Sequence, residues 1–440
     1  MSPRESGAES PAAETAVPTT TSPIPVADSL TVRSEAAAEV GSVLLSSGMA
    51  SYRVKVAMAR TARALGLDSF DSIVTFSDIT ATATLDGRYR TRITQPGHVG
   101  VDVDRMTRTQ RLVEDLRPGV RAGEILEGLD AIRARGPLYG PLVNALAAAL
   151  ACAAFAFLNQ GGWVEMAGAF VGAGIGQAVR RRLQQRSWNH FLITVIAALL
   201  ASGLYLLVVS VPTALGWLDG AHLAGYVAAV LFVVPGFPMI TGILDLVRAD
   251  YAAGIARLAY SALMLAGAAA SIWVTGLVAG AAGAPASQLA LDPALELVLR
   301  ALATLVGVVG FAVIFNSPLR IALLAGGVSV VANSLRFVMT EAQIPVQLAT
   351  LLATVLVGAA SYAAARAWRL PRTAISVPAV VIMIPGFAMY ASYALLNTGD
   401  LIGAVLQLQE AIQVVLAAAL GLALAHLATS PEWRRVSQPR

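Results

Sequence analysis

Apolar residues follow two regimes along this chain. Between Ser34 and Gly66 they recur at three- and four-residue steps, at Val40, Val43 and Leu44 and then Val54, Met58, Ala62 and Leu65. That period predicts two amphipathic helices hinged near Gly48. SIVTFSDITATATLDGRYRTRI, Ser72 to Ile93, is dense in Val, Ile and Thr and contains Asp86-Gly87, a dipeptide favoured in tight hairpin turns, so strands are expected on either side of it. MTRTQRLVEDL and AGEILEGLDAIRARG read as two more helices parted by Arg117-Pro118-Gly119. Past residue 140 the polar faces vanish. Apolar runs of about 20 residues, the length that crosses a bilayer, then occur at 141–158, 163–180, 190–211, 222–244, 255–280, 294–315, 319–338, 345–366, 374–396 and 409–428.

Composition agrees with that division. The chain of 440 residues is 56% hydrophobic and 13% charged, with a mean hydropathy of +0.68, whereas a soluble domain is about a quarter charged. Residues 1–140 hold 16 of the 31 basic and 17 of the 27 acidic side chains, which marks a soluble domain ahead of the membrane part. The expected organisation is a disordered Pro/Ser/Thr-rich tail (1–30), a cytoplasmic α+β domain (31–136), two five-helix membrane repeats (137–283 and 284–430) and a cytoplasmic tail (431–440). Arginines orient it. They precede the first span (Arg133, Arg135), follow the second (Arg180, Arg181, Arg182, Arg186), and recur at Arg248 and Arg257, at Arg320, at Arg366, Arg369 and Arg372, and at Arg434, Arg435 and Arg440. The alternate links lack Lys and Arg, except where Arg336 departs from the pattern, so both termini are expected in the cytoplasm. Arginine without aromatic interleaving gives no nucleic-acid surface. The single cysteine, Cys152, lies in an apolar run and provides neither a disulfide nor a metal site.

Two spans are interrupted. FVVPGFPMITGILDLVRAD (Phe232–Asp250) carries Pro235, Gly236, Phe237 and Pro238, and VVIMIPGFAMY (Val380–Tyr390) carries Pro385, Gly386 and Phe387, 150 residues later. Each break falls fourth in its set of five, and two tandem sets of odd span number face opposite ways, the arrangement of an inverted repeat. A looser echo joins AGAFVGAGIGQAVRRR (Ala167–Arg182) to LLAGGVSVVANSLR (Leu323–Arg336); Gly168, Gly172 and Gly176 in the first suit close helix packing. Broken backbone at membrane depth needs protein or a wet cavity to satisfy it, and paired breaks of this kind point to a transporter's substrate site. A half-helix starting near Pro238 is expected to turn its N–H groups, around Met239 to Thr241, toward an anion. Tyr390 stands near the second break. The predicted substrate-binding set is therefore Pro235, Gly236, Phe237, Pro238, Thr241, Pro385, Gly386, Phe387 and Tyr390. Asp245, Arg248 and Asp250 fall about 15 Å or more further along, where a gating or coupling role and an interfacial ion cluster are both open. Glu165 and Glu410 are expected near span ends, and Asn144, Gln177, Asn316 and Asn333 either bond substrate or join helices.

The soluble domain offers Asp78, Asp86, His98, Asp102 and Asp104 for acid–base chemistry, with Ser77 as a nucleophile for a membrane-anchored hydrolase. No nucleophile elbow, phosphate loop or metal spacing accompanies them. A channel lined by the breaks is another alternative.

PGFPMITGILDLVRADYAAGIARL (Pro235–Leu258), LLSSGMASYRVKVAMARTARALGL (Leu44–Leu67) and IPGFAMY together resemble the threonine/serine exporter family of bacterial inner-membrane proteins, from about Ser34 to His426. The resemblance implies export of small amino acids, chiefly L-threonine and L-serine, driven by the proton motive force and without a cofactor. It also admits small dicarboxylates such as succinate, because relatives divided into two proteins have been linked to that substrate. The expected partners are the amino acid, protons and the bilayer.

Overall fold

The computed structural model describes residues 29–97, 100–216, 225, 227–278, 289, 291–385, 388, 391–392, 395–396 and 398–434. Helices α1 (Leu30–Ser46) and α2 (Ser51–Ala64) are followed by strands β1 (Ser69–Val74), β2 (Ile79–Leu85) and β3 (Arg88–Thr94), then by α3 (Val103–Glu114) and α4 (Ala122–Arg133). The sheet is antiparallel in the order β1-β2-β3, with Ser69 opposite Thr84 and Leu85 opposite Arg88. Asp86 and Gly87 have φ of 51° and 73°, the two left-handed residues that a tight hairpin needs to match strand twist. α1 and α2 bury the apolar face that their period predicts. Val40, Leu44, Val54 and Met58 are inaccessible to solvent, each contributing about 1.5–3 kcal/mol by leaving water. The chain turns between these helices at Gly48, φ 91°, where a Cβ would lie 3.0 Å from the Gly100 carbonyl oxygen. Only glycine adopts that turn without strain.

The apolar part contains α5 (Pro141–Leu158), α6 (Trp163–Gln185), α7 (His190–Ala214), α8 (Gly236–Val247), α9 (Tyr251–Val278), α10 (Pro293–Ile314), α11 (Leu319–Glu341), α12 (Val346–Trp368), α13 (Arg372–Val381), α14 (Leu401–Thr429) and the short α15 (Pro431–Arg434). A 3₁₀ segment, Ala228–Val233, leads into α8. Among the described residues seven helices are long and apolar enough to cross a bilayer: α5, α7, α9, α10, α11, α12 and α14. The molecule is a helical, multi-pass membrane protein. The other predicted spans differ for physical reasons. α6 has the length, but Glu165, Gln177 and its glycines lower its hydropathy, while α8 and α13 are halves of 12 and 10 residues on either side of the breaks. The glycines of α6 serve packing: a Cβ at Gly172 would lie 2.4 Å from the Ala201 carbonyl oxygen, and one at Gly176 would lie 2.7 Å from Phe232 Cζ. Arg257 and Arg336, which the arginine alternation counts among the links, lie inside α9 and α11. Both side chains turn to protein partners.

Candidate functional site

Both breaks are made from short backbone turns that end at a proline. At the first, Val234 donates to the Leu231 carbonyl (3.0 Å) and Gly236 to the Val234 carbonyl (2.8 Å). Pro235, between them, has φ −80° and ψ 55°, an inverse γ-turn. At the second, Met383 donates to the Val380 carbonyl (2.9 Å) and Ile384 to the Val381 carbonyl (3.2 Å), just ahead of Pro385. A proline has no N–H for the carbonyl four residues back, and these tighter bonds take that carbonyl up instead. The expected anion site at the start of the half-helix needs correction. α8 begins at Gly236 rather than near Pro238, so the Met239 N–H is already bonded to the Pro235 carbonyl at 3.1 Å. Thr241 is fully buried, and its hydroxyl donates to the Phe237 carbonyl at 2.9 Å.

Gly236 lets the breaks meet. A Cβ there would stand 3.0 Å from Val381 Cγ2 and 3.6 Å from Ile384 Cδ1. A void of about 20 Å³ marks this contact, lined by Gly236, Met239, Ile384, Val414 and apolar neighbours. Ile384 and Val414 also border a larger cavity of about 230 Å³ whose polar lining is Arg336, Glu410, Asn159 and Gln407, beside Pro385. Pro235, Phe237, Pro238 and Thr241 do not line that cavity. Gly386, Phe387 and Tyr390 lie outside the described residues, as does His98. Arg336 is aimed by its neighbours: Nε donates to Thr350 Oγ1 at 3.0 Å and Nη1 approaches Asn333 Oδ1 at 3.5 Å. Its Nη2 makes no hydrogen bond among the described residues. Glu410 lies nine residues into α14, which begins at Leu401, about 14 Å along the helix. A guanidinium and a carboxylate in one cavity complement a solute bearing both charges. Neither residue stood in the predicted set. The signals were present, as the one exception to the arginine alternation and as a lone acid in an apolar run.

Asp245, Arg248 and Asp250 form a cluster of ion pairs, hydrogen bonds and ring contacts with the α1–α2 turn, the start of α2 and Trp433. Asp245 is 0% exposed and pairs with Arg257, 1% exposed, at 3.1 Å. The turn between α1 and α2 closes over this pair: the Ser51 N–H donates to Asp245 Oδ1 at 2.9 Å, and Arg257 Nη2 donates to the Met49 carbonyl at 2.8 Å. Arg257 Nη1 reaches Thr241 Oγ1 at 3.3 Å. Asp250 accepts from Ser51 Oγ at 3.1 Å and pairs with Lys55. Arg248 lies over the rings of Tyr52 and Trp433. A second seam runs beside α10, where Val103 N–H donates to the Phe315 carbonyl (3.0 Å) and Asn316 Nδ2 to Asp102 Oδ1 (2.9 Å). Three of the acids offered for catalysis, Asp78, Asp102 and Asp104, have structural partners. Asp102 caps α3 and Asp104 pairs with Arg108 at 2.8 Å. Hydrogen bonds from Ser77, then Gln95 and Thr75, hold the half-buried Asp78 carboxyl below its usual range. Ser77 therefore donates to an ionised acceptor. Among the described residues no cluster of three or more His, Cys, Asp or Glu is placed to hold a metal.

Residues 35–278 match the family described as "Putative threonine/serine exporter", and residues 300–428 match "Threonine/Serine exporter, ThrE". The "Probable succinate transporter subunit YjjP" of Escherichia coli (strain K12) is 30% identical over 234 residues, 51% of this chain and 86% of that protein. The protein of the same name from Klebsiella aerogenes is 29% identical over 229 residues, 50% of this chain and 84% of its own length. No solved structure matches. A body of apolar helices with two proline breaks, matched over most of its length by these two profiles, belongs to the threonine/serine exporter family.

Proposed function

We propose that this protein is a secondary exporter of small amino acids, L-threonine and L-serine foremost, that binds its substrate in the cavity beside Pro385. The observation that carries the reading is the presence of Arg336 and Glu410 in that one cavity. The guanidinium suits the substrate's carboxylate and the carboxylate suits its ammonium group. Succinate, after which the two bacterial relatives are named, would meet Glu410 as a like charge, which counts against binding.

Alternating access is supported by likeness between the two halves. α5 packs on α6, α6 on α7 and α7 on α9, as α10 packs on α11, α11 on α12 and α12 on α14. The 3₁₀ segment touches the first three helices of its half, and so does α13. The bond from Val234 to Leu231 recurs 150 residues later from Ile384 to Val381. We therefore read ten spans as a 5+5 inverted repeat, 137–283 and 284–430, behind a cytoplasmic domain at 31–136. In this reading both termini are cytoplasmic, the membrane is the bacterial inner membrane, and the Arg336 cavity opens outward. The cytoplasmic end is closed by the turn seated on Asp245 and Arg257, so Asp245, Arg248 and Asp250 serve the gate. The proton motive force drives the cycle.

Efflux from preloaded cells or proteoliposomes, with labelled threonine, serine and succinate in parallel and with or without an uncoupler, tests this. Saturable, uncoupler-sensitive threonine efflux competed by serine is expected. Succinate movement without threonine movement would replace the substrate assignment, and flux that neither saturates nor responds to the uncoupler would replace the mechanism by a pore.

A further inference from the structure

Arg180 on α6 and Arg336 on α11 occupy matching positions. Each closes a four-residue unit that opens with an amide, Gln177-Ala-Val-Arg180 and Asn333-Ser-Leu-Arg336. Each guanidinium approaches its own amide, at 3.4 Å for Gln177 Oε1 and 3.5 Å for Asn333 Oδ1. Each amide nitrogen then donates to the first helix of its half, Gln177 Nε2 to Asn144 Oδ1 (2.7 Å) and Asn333 Nδ2 to Thr304 Oγ1 (2.9 Å). The halves part at the next bond. Arg180 Nη1 donates to the Phe232 carbonyl at 2.8 Å, three residues before Pro235. The residue in register before Pro385 is Ile382. It lines the cavity together with Arg336, and no bond joins the two among the described residues.

We infer, on the inverted-repeat reading above, that Arg180 and Arg336 are a matched pair of carboxylate receptors: each holds its own break's carbonyl when its side is shut and the substrate's carboxylate when its side is open. Arg180 is here in the first condition and Arg336 in the second. The exchange is physically balanced. A guanidinium at membrane depth needs an acceptor in every state, and a carboxylate forms the stronger, charge-assisted bond in place of an amide carbonyl. The Arg180 bond exists only in the present state and its twin only in the opposite one, so each biases the equilibrium toward its own state. Gln177 and Asn144 become the cytoplasmic counterparts of Asn333 and Thr304, and the site they form with Arg180 receives the substrate before export.

The chain's only cysteine reports the exchange. Cys152 on α5 is fully buried against the backbone of Leu231 and Phe232, where opening of the first break would expose it. The measurement is its rate of labelling by N-ethylmaleimide in the full-length protein in membranes. Arg180→Ala is expected to speed labelling about tenfold and Arg336→Ala to slow it about tenfold, the scale of one hydrogen bond to a charged group. Arg180→Lys keeps a charged donor and is expected to stay within about threefold of the unaltered protein. Saturating external L-threonine, or succinate if that is the substrate, should slow labelling of the unaltered protein and not of Arg336→Ala. Shifts of the same sign in the two alanine variants are what packing damage produces, and they would overturn the pairing, as would no shift in either. Slowing by neither solute, or slowing that survives Arg336→Ala, would overturn the receptor role. Opposed shifts in a protein that moves none of threonine, serine or succinate would sink the transporter reading and leave the paired gates standing; flux with shifts of one sign would do the reverse.

Discussion

The two helix breaks share their local construction and differ in what surrounds them. Around Pro235 the neighbours are protein groups: Phe237 meets Phe315 edge to face at 5.6 Å, Arg180 holds the Phe232 carbonyl, and the α1–α2 turn sits over Asp245 and Arg257. At Pro385 the backbone borders a cavity with a guanidinium and a carboxylate in its wall. A proline therefore makes a site available, and its neighbours decide whether it is sealed or wet. Near the first break lies a buried ion pair, Asp245 with Arg257, which is strong only while both partners remain.

The largest effect is expected from breaking that pair. Arg257→Ala leaves Asp245 buried without its counter-ion, at a cost of about 3–5 kcal/mol, and should lower the unfolding temperature of the detergent-purified protein sharply. Adding Asp245→Asn should recover much of the loss; equal instability in the single and double variants would show that the pair does not hold the seal. Next comes the contact between the breaks. Gly236→Leu forces a side chain into a space where even a Cβ meets Val381 at 3.0 Å, overpacking worth about 1–3 kcal/mol, and it should cripple transport in protein that still reaches the membrane. Ordinary flux in that variant would remove the breaks from the transport path. In the cavity beside Pro385, Glu410→Gln should raise half-saturation for threonine about tenfold, the scale of one charge-assisted bond, while succinate gains or holds. A parallel loss for both solutes would make Glu410 a structural residue. The smallest effect belongs to the soluble domain's candidate acids and bases: His98→Ala should retain at least half of transport, and abolished flux would reopen the hydrolase reading.

How much of this was legible depends on range along the chain. The α1 and α2 faces, the Asp86-Gly87 hairpin and both breaks follow from residues within a turn or two of each other, because backbone sterics and a helical period act locally. The Met239–Thr241 anion site failed for a local reason as well: a shift of the helix start by two residues changes which N–H groups are unbonded. The glycine stripe on α6 was readable as packing because small residues at four-residue spacing have few other uses. Arg336 and Glu410 escaped, since a residue at the edge of a hydropathy window looks like a loop residue until the helix boundary is known.

By itself the sequence determined a helical membrane protein with a mixed helix-and-strand region ahead of its apolar helices and two proline breaks 150 residues apart, and it carried the family likeness that the profiles match. The tertiary structure alone decided that Ser51 would cover Asp245 from 194 residues away, that α11 and α14 would bring Arg336 and Glu410 to one cavity, and that this cavity would lie beside Pro385 and away from Pro235. The physical reason is that propensity and periodicity are properties of neighbours in the chain. The energy of a charge or a freed carbonyl at membrane depth is set by whatever the fold places against it.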